Sequence, residues 1–492
     1  MRKLLALILA VVLVCPLGIA AAQEAPFEIS IMLPSFYSET FQTVDNPVVK
    51  AIEAATNTKL TINFIPNASY VELTGVTLAD KDKMPMLMVI QGPQDSVTVN
   101  AARAGAFWDI TDYIKDYPNL AAGSSLAYDN IKVDGRLYGI YRQRPIARNG
   151  ILYRSDVAAK LGITEAPKNL DELMALAKAY ASQGEDKYAL SMCKYVDGTI
   201  KIITVMHGAP NAWGVNAEGN VYPAHQDPAF MEGLNWLREL YAAGGIDPDF
   251  MVIESGAWDD TIRNEEAFMR FDVLDGGYRL QEWFEQNKPE IGATFNLIPT
   301  VANAKGEMRS WPTTGFNGEV VITKAVKTEE EMKKCLAFLD FLNSAEGQTL
   351  VNWGVEDVTW WKDEEGFRLG TTPADKDEYV KTVQGSLNQL GMNVNGDLTP
   401  TIKLSELRKL YNSILADAQG YCVANPCFTY VSETSTMFGA QLNTLLEDAC
   451  VQYIANLISE DELKALFQQW SDEGGSKLTE EFNAIYHAAQ AK

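Results

Sequence analysis

The sequence predicts an α/β protein with two lobes, each built on a mainly parallel sheet flanked by helices. The first reason is length, because 492 residues exceed what one hydrophobic core normally supports. The second is an alternation of short apolar strands and helices over residues 27–90, which is typical of parallel sheets. The third is the charged, proline-containing passage 142–148. It lies between two apolar strands and indicates a crossing between domains.

Residues 1–22 predict an export signal that is removed near Gln23. Arg2 and Lys3 precede an apolar run, and small residues stand at 20–22, where cleavage is expected. The apolar run is too short to be a good membrane span. We therefore expect an exported protein, in the periplasm or at the cell surface. A lipid anchor at Cys15 is the alternative, although the residues before this cysteine are larger than those that usually precede a lipidated one.

The composition is that of an ordinary globular protein, with 47% hydrophobic and 22% charged residues. The formal charge of −24 argues against nucleic acid or an anionic membrane surface as a partner. Solubility is the simplest explanation of this acidity. We expect a monomer.

The cysteines leave room for a disulfide, because exported proteins can form them. Cys422 and Cys427 flank a turn-forming Asn-Pro pair, which predicts a bridge between them, and Cys450 competes for either partner. With Cys193 and Cys335 the count is odd, so at least one thiol stays free.

The first sheet is predicted from apolar segments at 27–33, 60–64 and 85–90. The sequence Asp-Asn-Pro at 45–47 predicts the start of a helix between the first two strands. Open α/β sheets bind ligands at the carboxyl ends of their strands. Tyr37 and Gln91 follow the first and third segments, so we expect both at a ligand-binding edge.

Beyond 142–148, strands and capped helices alternate again. Asn169 with Glu172, Thr328 with Glu331 and Ser459 with Glu462 predict helix starts. Further strands are predicted at 150–153, 267–272, 291–299 and 313–322. Second and third crossings are predicted near 300 and 356–361. These boundaries place 23–148 and 300–358 in an N-terminal lobe, and 149–299 and 359–492 in a C-terminal lobe.

Aromatic residues are candidates for a sugar site, because a sugar has apolar faces that stack on flat rings and a hydroxyl edge that needs polar groups. The strongest candidates are Trp258, followed by Asp259, and Trp311, which lies near a crossing. Weaker candidates are Trp213, Tyr37, Phe316 and Trp361. For each tryptophan the alternative is packing in a core.

Three arginines in the first crossing predict a local positive site. Arg142, Arg144 and Arg148 lie within one short passage of an acidic chain, and arginine binds carboxylate or sulfate with two parallel hydrogen bonds. The alternative is salt bridging to the acidic surface. If the arginines bind the solute, the solute carries an anionic group.

Catalytic and metal motifs are missing from the sequence. The histidines at 207, 225 and 487 show no metal-ligand spacing, and no phosphate loop or G-x-S-x-G motif occurs. Residues 393–397 resemble the start of a calcium loop, but Leu404 stands where the loop needs an acid. We expect no cofactor, no metal and no catalysis.

Several segments together resemble extracellular solute-binding proteins of bacterial ABC transporters, in the family 1-like, oligosaccharide-type group that includes LipO-like proteins. They are 47–56, 105–113 (GAFWDITDY), 134–140 (DGRLYGI), 153–162, 167–173, 245–250, 339–347 and 470–476. Met86 and Val157 depart from the family pattern, which favours Asp and Trp there. The resemblance implies a type II periplasmic-binding-protein fold, in which two α/β lobes exchange the chain three times.

The resemblance implies that the lobes close on a solute and present it to an ABC permease. Combined with the aromatic candidates, it predicts an oligosaccharide ligand, acidic if the arginines contact it. Two other functions stay open. One is a secreted carbohydrate-active enzyme, and the other is a sensory binding protein that signals to a receptor.

Overall fold

The chain folds around two β-sheets with separate hydrophobic cores. A computed structural model describes residues 25–35, 45–80, 83–92, 95–184, 186–254, 257–369, 375–391 and 402–490. The strands are β1 (Phe27–Ser35), β2 (Thr58–Pro66), β3 (Leu87–Ile90), β4 (Gly139–Gln143), β5 (Asn149–Arg154), β6 (Tyr188–Leu190), β7 (Trp213–Val215), β8 (Val221–Pro223), β9 (Ala267–Val273), β10 (Phe295–Ile298) and β11 (Phe316–Ile322). We call the part around the first sheet the N-terminal lobe and the part around the second the C-terminal lobe.

The sheet of the N-terminal lobe has the strand order β2-β1-β3-β11-β4. β1 pairs in parallel with β2 and β3, whereas β11 pairs antiparallel with β3 and β4. All of its strands except β11 therefore point the same way. β3 is buried along its whole length, as expected for a continuously apolar strand that is covered on both faces.

The sheet of the C-terminal lobe has the order β10-β5-β9-β6. β5 pairs antiparallel with β10 and β9, and β9 pairs in parallel with β6. The predicted α/β class is confirmed, but two of the three strand pairings in this sheet are antiparallel, so the sheet is mixed. A separate hairpin, β7–β8, belongs to this lobe.

Helices pack around both sheets. They are α1 (Pro47–Thr56), α2 (Asn67–Ala79), α3 (Ser96–Arg103), α4 (Pro118–Ala121), α5 (Ser125–Ile131), α6 (Ser155–Lys160), α7 (Leu170–Ala181), α8 (Val196–His207), α9 (Pro228–Ala242), α10 (Trp258–Arg263), α11 (Asp275–Asn287), α12 (Glu329–Leu342), α13 (Ala345–Asn352), α14 (Asp377–Gln384), α15 (Glu406–Asp417), α16 (Glu433–Ile454), α17 (Glu460–Trp470) and α18 (Ser476–Gln490).

Side-chain caps fix where several of these helices begin. Asn46 Oδ1 accepts a hydrogen bond from the backbone N–H of Val48 at 2.9 Å. The proline that begins α1 directly follows Asn46. Complete capping boxes start α12 at Thr328 and α17 at Ser459. These caps satisfy backbone donors that the first helical turn leaves open. The sequence signals at these positions therefore correspond to real helix starts.

The first two crossings run side by side and are joined by hydrogen bonds. Residues 144–148 connect β4 to β5, and residues 299–315 connect β10 to β11. The backbone N–H of Arg144 donates to the carbonyl of Gly315 at 3.0 Å, and that of Thr313 donates to Ile146 at 2.9 Å. The Thr313 hydroxyl adds a bond to the Pro145 carbonyl at 2.8 Å. The two passes of backbone therefore form one connected strip between the lobes.

The third crossing lies later than the sequence predicts. Leu387 and Leu390 are fully buried in the core of the N-terminal lobe, and the side-chain amide of Asn46 donates to the Val383 carbonyl at 2.8 Å. The next described helix, α15, instead packs in the C-terminal lobe through Leu407. The predicted boundary at 358 is therefore corrected, because residues 377–390 pack on the first sheet.

Three further features concern thiols, metals and membranes. Cys422, Cys427 and Cys450 are free thiols, so the expected bridge is absent. Cys422 Sγ contacts the Ala418 carbonyl, and Cys427 is buried in a small core with Leu442. Within the described ranges, no group of three potential ligands gathers around a metal site, and no helix has both the length and the apolar character needed to span a bilayer. The calcium-like residues 393–397 and Cys15 lie outside the described residues.

Candidate ligand-binding site

A hollow of about 270 Å³ lies at the edge of the first sheet where β3 ends and β11 begins. It is lined by Gln91, Gly92, Asp95, Thr314, Phe316, Asn317, Gly318 and Phe428. β11 runs against β3, so the first residues of β11 meet the last residues of β3 at one edge. We call this space the N-lobe hollow. It brings together two predicted residues, Gln91 and Phe316, that are far apart in the sequence.

The hollow combines aromatic rings with amide groups. Phe316 and Phe428 meet edge to face, with ring centroids 6.0 Å apart. Gln91 is half-buried and its amide donates to Asn67 Oδ1 at 2.8 Å, while Asn317 is exposed. Apolar ring surface beside amide donors and acceptors suits a ligand with both a flat apolar face and hydroxyl groups.

A cavity of about 390 Å³ lies in the C-terminal lobe between α8, α9, α16, α17 and the hairpin. We call it the C-lobe cavity. Its aromatic lining includes Tyr195, Trp213, Phe230 and Trp470, and its polar lining includes Asp197, Lys201, Thr204, Asn443 and Glu447. A volume above about 300 Å³ is that of a small-molecule site. Predicted residue Trp213 therefore lines a cavity of suitable size.

The charged groups of the C-lobe cavity cluster on one wall. Lys201 Nζ contacts Asp197 Oδ2 at 2.7 Å, and both side chains are partly exposed. Burial, with the nearby Asp197, raises the pKa of Glu447. His225 is only 4% exposed, and burial lowers its pKa to about 4. The histidine is therefore neutral at physiological pH and serves as an aromatic wall beside Trp470.

Trp311 connects the two spaces through the second crossing. Lys201 Nζ lies 5.6 Å from the centre of the Trp311 ring, and Trp311 Nε1 donates to Asn211 Oδ1 at 3.1 Å. The chain then runs from Trp311, beside the C-lobe cavity, to residues 314–318 in the N-lobe hollow. One crossing thus passes from the neighbourhood of the C-lobe cavity to the lining of the N-lobe hollow.

Arg142 does not face either space. It is 1% exposed, and its guanidinium donates to the Asn317 carbonyl at 2.8 Å and to the Gln389 amide oxygen. Burial lowers the pKa of Arg142 to about 10. The expectation that it contacts the solute is corrected, because protein atoms surround its side chain. Its bond to Asn317 instead positions a wall of the N-lobe hollow.

Arg148 forms the salt bridge that was its alternative. Its guanidinium binds Asp275 with two hydrogen bonds of 2.8 and 3.0 Å, and Asp275 is 7% exposed. Arg144 lies nearby, half-buried. Burial and the charge of Arg148 lower the pKa of Arg144, which Asp275 opposes. Asp275 also lies 3.4 Å from Arg279 Nε, so this carboxylate serves several guanidiniums near the crossing.

Two predicted residues of the C-terminal lobe belong to a core. Trp258 is 6% exposed, its Nε1 donates to the Ser191 carbonyl at 3.2 Å, and the Arg270 guanidinium covers its ring at 4.8 Å. Asp259 accepts hydrogen bonds from Arg270 and Arg263. Trp258 therefore offers no free face to a sugar, and the carboxylate of Asp259 is already bonded.

The remaining predicted residues fall elsewhere. Trp361 is half-buried, and its carbonyl accepts a bond from Leu369 in a local turn-back of the chain. It lines neither described space. Tyr37 lies outside the described residues. Sequence reasoning missed Lys201 and Phe428, which line the two spaces. The Asp197–Lys201 spacing on a helix was a visible signal for the first, whereas nothing local marks Phe428.

Comparison with known proteins identifies the group to which this architecture belongs. The family described as "Bacterial extracellular solute-binding protein" matches residues 48–353. Over 474 residues the chain is 27% identical to Lipoprotein LipO of Bacillus subtilis (strain 168), covering 94% of this chain and 93% of the relative. It is 28% identical over 451 residues to the polygalacturonan/rhamnogalacturonan-binding protein YtcQ of the same organism, covering 90% and 88%.

The fold is also similar to those of solved solute-binding structures. The crystal structure of the alginate-binding protein AlgQ2 without calcium ion superposes with a TM-score of 0.66 at 19% identity, covering 94% of this chain and 99% of that one. The names of these relatives that state an activity describe binding, and none describes an enzyme. The match of the family to residues 48–353, across both sheets and the first two crossings, shows that this chain belongs to the bacterial extracellular solute-binding proteins.

Proposed function

We propose that this protein captures a saccharide between its lobes and delivers it to the permease of an ABC transporter. The observation that carries the proposal is the second crossing, which lines the N-lobe hollow at Thr314 and carries Trp311, whose ring lies beside Lys201 of the C-lobe cavity. A ligand that contacts both spaces gains binding energy only when the lobes are close. Such a ligand favours the closed arrangement, which a permease can recognise.

The lining of the two spaces supports a saccharide as the ligand. Phe316, Phe428 and Trp213 provide apolar ring surface, and amides, a lysine and carboxylates surround them. This combination matches the apolar faces and hydroxyl edge of a sugar ring. The relative YtcQ, whose name states that it binds polygalacturonan and rhamnogalacturonan, supports the same class of ligand.

The finer proposal is that the saccharide carries a carboxylate. The support is the name of the relative YtcQ, since polygalacturonan is a polymer of carboxylate-bearing sugars, together with the half-buried position of Arg144 at the first crossing. Charge-assisted bonds between guanidinium and carboxylate are among the stronger polar contacts. Arg144→Gln should then weaken binding of oligogalacturonides while leaving neutral oligosaccharides unchanged, as measured by calorimetry. Equal loss for both ligands would contradict the acidic-ligand proposal.

We further propose that the protein acts outside the cytoplasm after removal of residues 1–22. Membership of an extracellular family supports export, and the name of the relative LipO supports attachment to the cell surface through a lipid. The mass of the mature protein from its native host would decide between the two forms. Cleavage near Gln23 indicates a freely exported protein, and a mature chain that begins with modified Cys15 indicates an anchor.

The central test uses one variant from each lobe. We expect Phe428→Ala, in the N-lobe hollow, and Lys201→Met, at the C-lobe cavity, each to weaken oligosaccharide binding at least tenfold, corresponding to about 1.4 kcal/mol. Tyr379→Ala is the matched control, because this exposed aromatic lines neither space. Isothermal titration calorimetry gives the affinities. If only one lobe's variant affects binding, the ligand does not bridge the lobes and the proposal is wrong.

A further inference from the structure

A groove of about 370 Å³ lies on the C-terminal lobe between the hairpin β7–β8 and the segment 423–426. Its walls include Pro210, Trp213, Tyr222 and Arg309. Trp213 and Pro210 also line the C-lobe cavity, so the two spaces lie on either side of a shared wall. The volume of the groove is in the range of small-molecule sites, about 300–1,000 Å³. We call it the hairpin groove.

The aromatic walls of the hairpin groove are held in place. The Tyr222 hydroxyl donates to Asp227 Oδ2 at 2.7 Å, and burial together with this carboxylate raises the pKa of Tyr222 to about 12. Trp213 packs against Phe482, with ring centroids 4.9 Å apart. Both rings are only partly buried. These rings keep some exposed surface on which the C–H face of a sugar can stack. Because the rings are already fixed, such stacking costs little additional side-chain entropy.

Arg309 brings a positive charge to the same groove. Among the described residues its guanidinium makes one hydrogen bond, from Nη2 to the Ala209 carbonyl at 3.2 Å, and forms no ion pair with a carboxylate. Its Nε has no acceptor. A guanidinium has five N–H donors, so most of its capacity remains unused. This lack of an acidic partner stands out in a chain with a formal charge of −24.

We propose that the hairpin groove is a second saccharide-binding site, separate from the space between the lobes, and that it takes a carboxylate-bearing sugar unit. The carboxylate would bind the planar fork of Arg309, and the apolar face of the sugar ring would lie on Trp213 or Tyr222. The inference rests on the proposed function only in taking saccharides as the ligand class. A protein with two such sites would hold an acidic polysaccharide at one while capturing a shorter chain at the other.

The test is the number of acidic sugars bound per chain. Calorimetric titration of the full-length mature protein with D-galacturonate should show two sites, and titration with D-galactose should show none in the groove. Arg309→Gln should remove one galacturonate site and leave the affinity of the other within twofold. Lys305→Gln, which removes an exposed cation from the same loop, should keep both sites. Circular dichroism melting confirms that each variant is folded.

Each other outcome overturns the inference in a recognisable way. A single galacturonate site that Arg309→Gln leaves intact shows that the groove is empty. A single galacturonate site that Arg309→Gln abolishes, together with loss of neutral oligosaccharide binding in the same variant, shows that the groove is part of the main site. If neutral oligosaccharides bind once and galacturonate does not bind, the second site fails while the proposed function stands. If no saccharide binds at all, both proposals fail.

Discussion

In the sheet of the N-terminal lobe, two ionisable side chains are buried without a partner of opposite charge among the described residues. Glu319 on β11 is 2% exposed and Arg142 on β4 is 1% exposed. Burial raises the pKa of Glu319 to about 8. Tyr141 lies opposite Glu319 in the sheet, so Arg142, the next residue along β4, points to the other face. The two groups therefore cannot neutralise each other.

The sheet of the C-terminal lobe buries arginines instead, each with a carboxylate. Arg154 is 1% exposed and binds Asp156 with two hydrogen bonds of 2.7 and 2.8 Å. Arg270 is 3% exposed and contacts Asp259. Burial by itself would raise the pKa of Asp156, but the bonds from Arg154 outweigh it and lower that pKa. Burial without a partner shifts the pKa of a group towards its neutral form, whereas a paired group keeps its charge.

The largest effect is expected from removing a partner in the C-terminal lobe. Asp259→Asn leaves Arg270 buried and charged, with Asp272 as the nearest remaining carboxylate at 3.6 Å. Breaking one side of a buried pair typically costs about 3–5 kcal/mol of unfolding free energy. Because Asp272 still compensates part of the charge of Arg270, we expect the lower end of this range. Chemical denaturation followed by circular dichroism measures this loss.

The adjacent residue provides the control for this prediction. Asp260 belongs to the same helix and binds Arg263 at 3.2 Å, but its side chain is 56% exposed. Asp260→Asn should change the unfolding free energy by less than about 1 kcal/mol, because exposed ion pairs contribute little. Similar losses for the two variants would show that the burial of Arg270 does not decide the effect.

The next effect concerns the unpaired acid of the N-terminal lobe. The pKa of Glu319 is about 8 in the folded protein against an ordinary 4.5. Between these pH values the folded state holds a proton that the unfolded state has lost, so stability falls as pH rises. At 1.36 kcal/mol per pH unit, the loss from this group by pH 7 is about 3 kcal/mol. Glu319→Gln, which cannot ionise, should remove this fall.

The readout is the slope of stability against pH, measured by denaturant unfolding from pH 5 to pH 8. The slope is preferable to a single value, because the new amide changes stability equally at every pH. We expect the wild-type protein to lose more stability over this interval than Glu319→Gln. Parallel curves for the two proteins would mean that Glu319 has a charged partner or access to water, and the contrast between the sheets would disappear.

Local signals explain how much of the fold the sequence could predict. Strands such as β3 are continuous apolar runs, and the caps at Thr328 and Ser459 involve residues only three positions apart. These features depend on neighbours in the chain, so a single sequence shows them. The third crossing depended on the burial of Leu387 and Leu390 against the first sheet. The apolar pattern of a segment does not indicate which of two cores it packs against, so the lobe boundary at 358 was misplaced.

The site was harder to predict, because each outcome depended on a distant partner. Arg148 is paired with Asp275, 127 positions away, and the ring of Trp258 on α10 is covered by Arg270 from β9. Gln91 and Phe316 meet because β11 reverses beside β3. Their positions at strand ends made them reasonable candidates. Whether a candidate side chain is covered by other residues or left accessible to a ligand depends on the three-dimensional packing, which the sequence does not show.

The smallest predicted effect compares the two reversed strands, β11 and β5, each of which follows a crossing and carries a glycine against a neighbouring strand. A Cβ at Gly318 would lie 2.2 Å from the Ile90 carbonyl, and one at Gly150 would lie 2.4 Å from that of Ile298. Only Gly318 has a positive φ, +83°, which costs other residues about 1–2 kcal/mol.

Gly318→Ala should therefore lower the unfolding free energy more than Gly150→Ala by about that amount. It should also weaken ligand binding, because Gly318 lines the N-lobe hollow. Equal destabilisation by the two substitutions would show that carbonyl crowding, rather than backbone conformation, sets the cost at both strands.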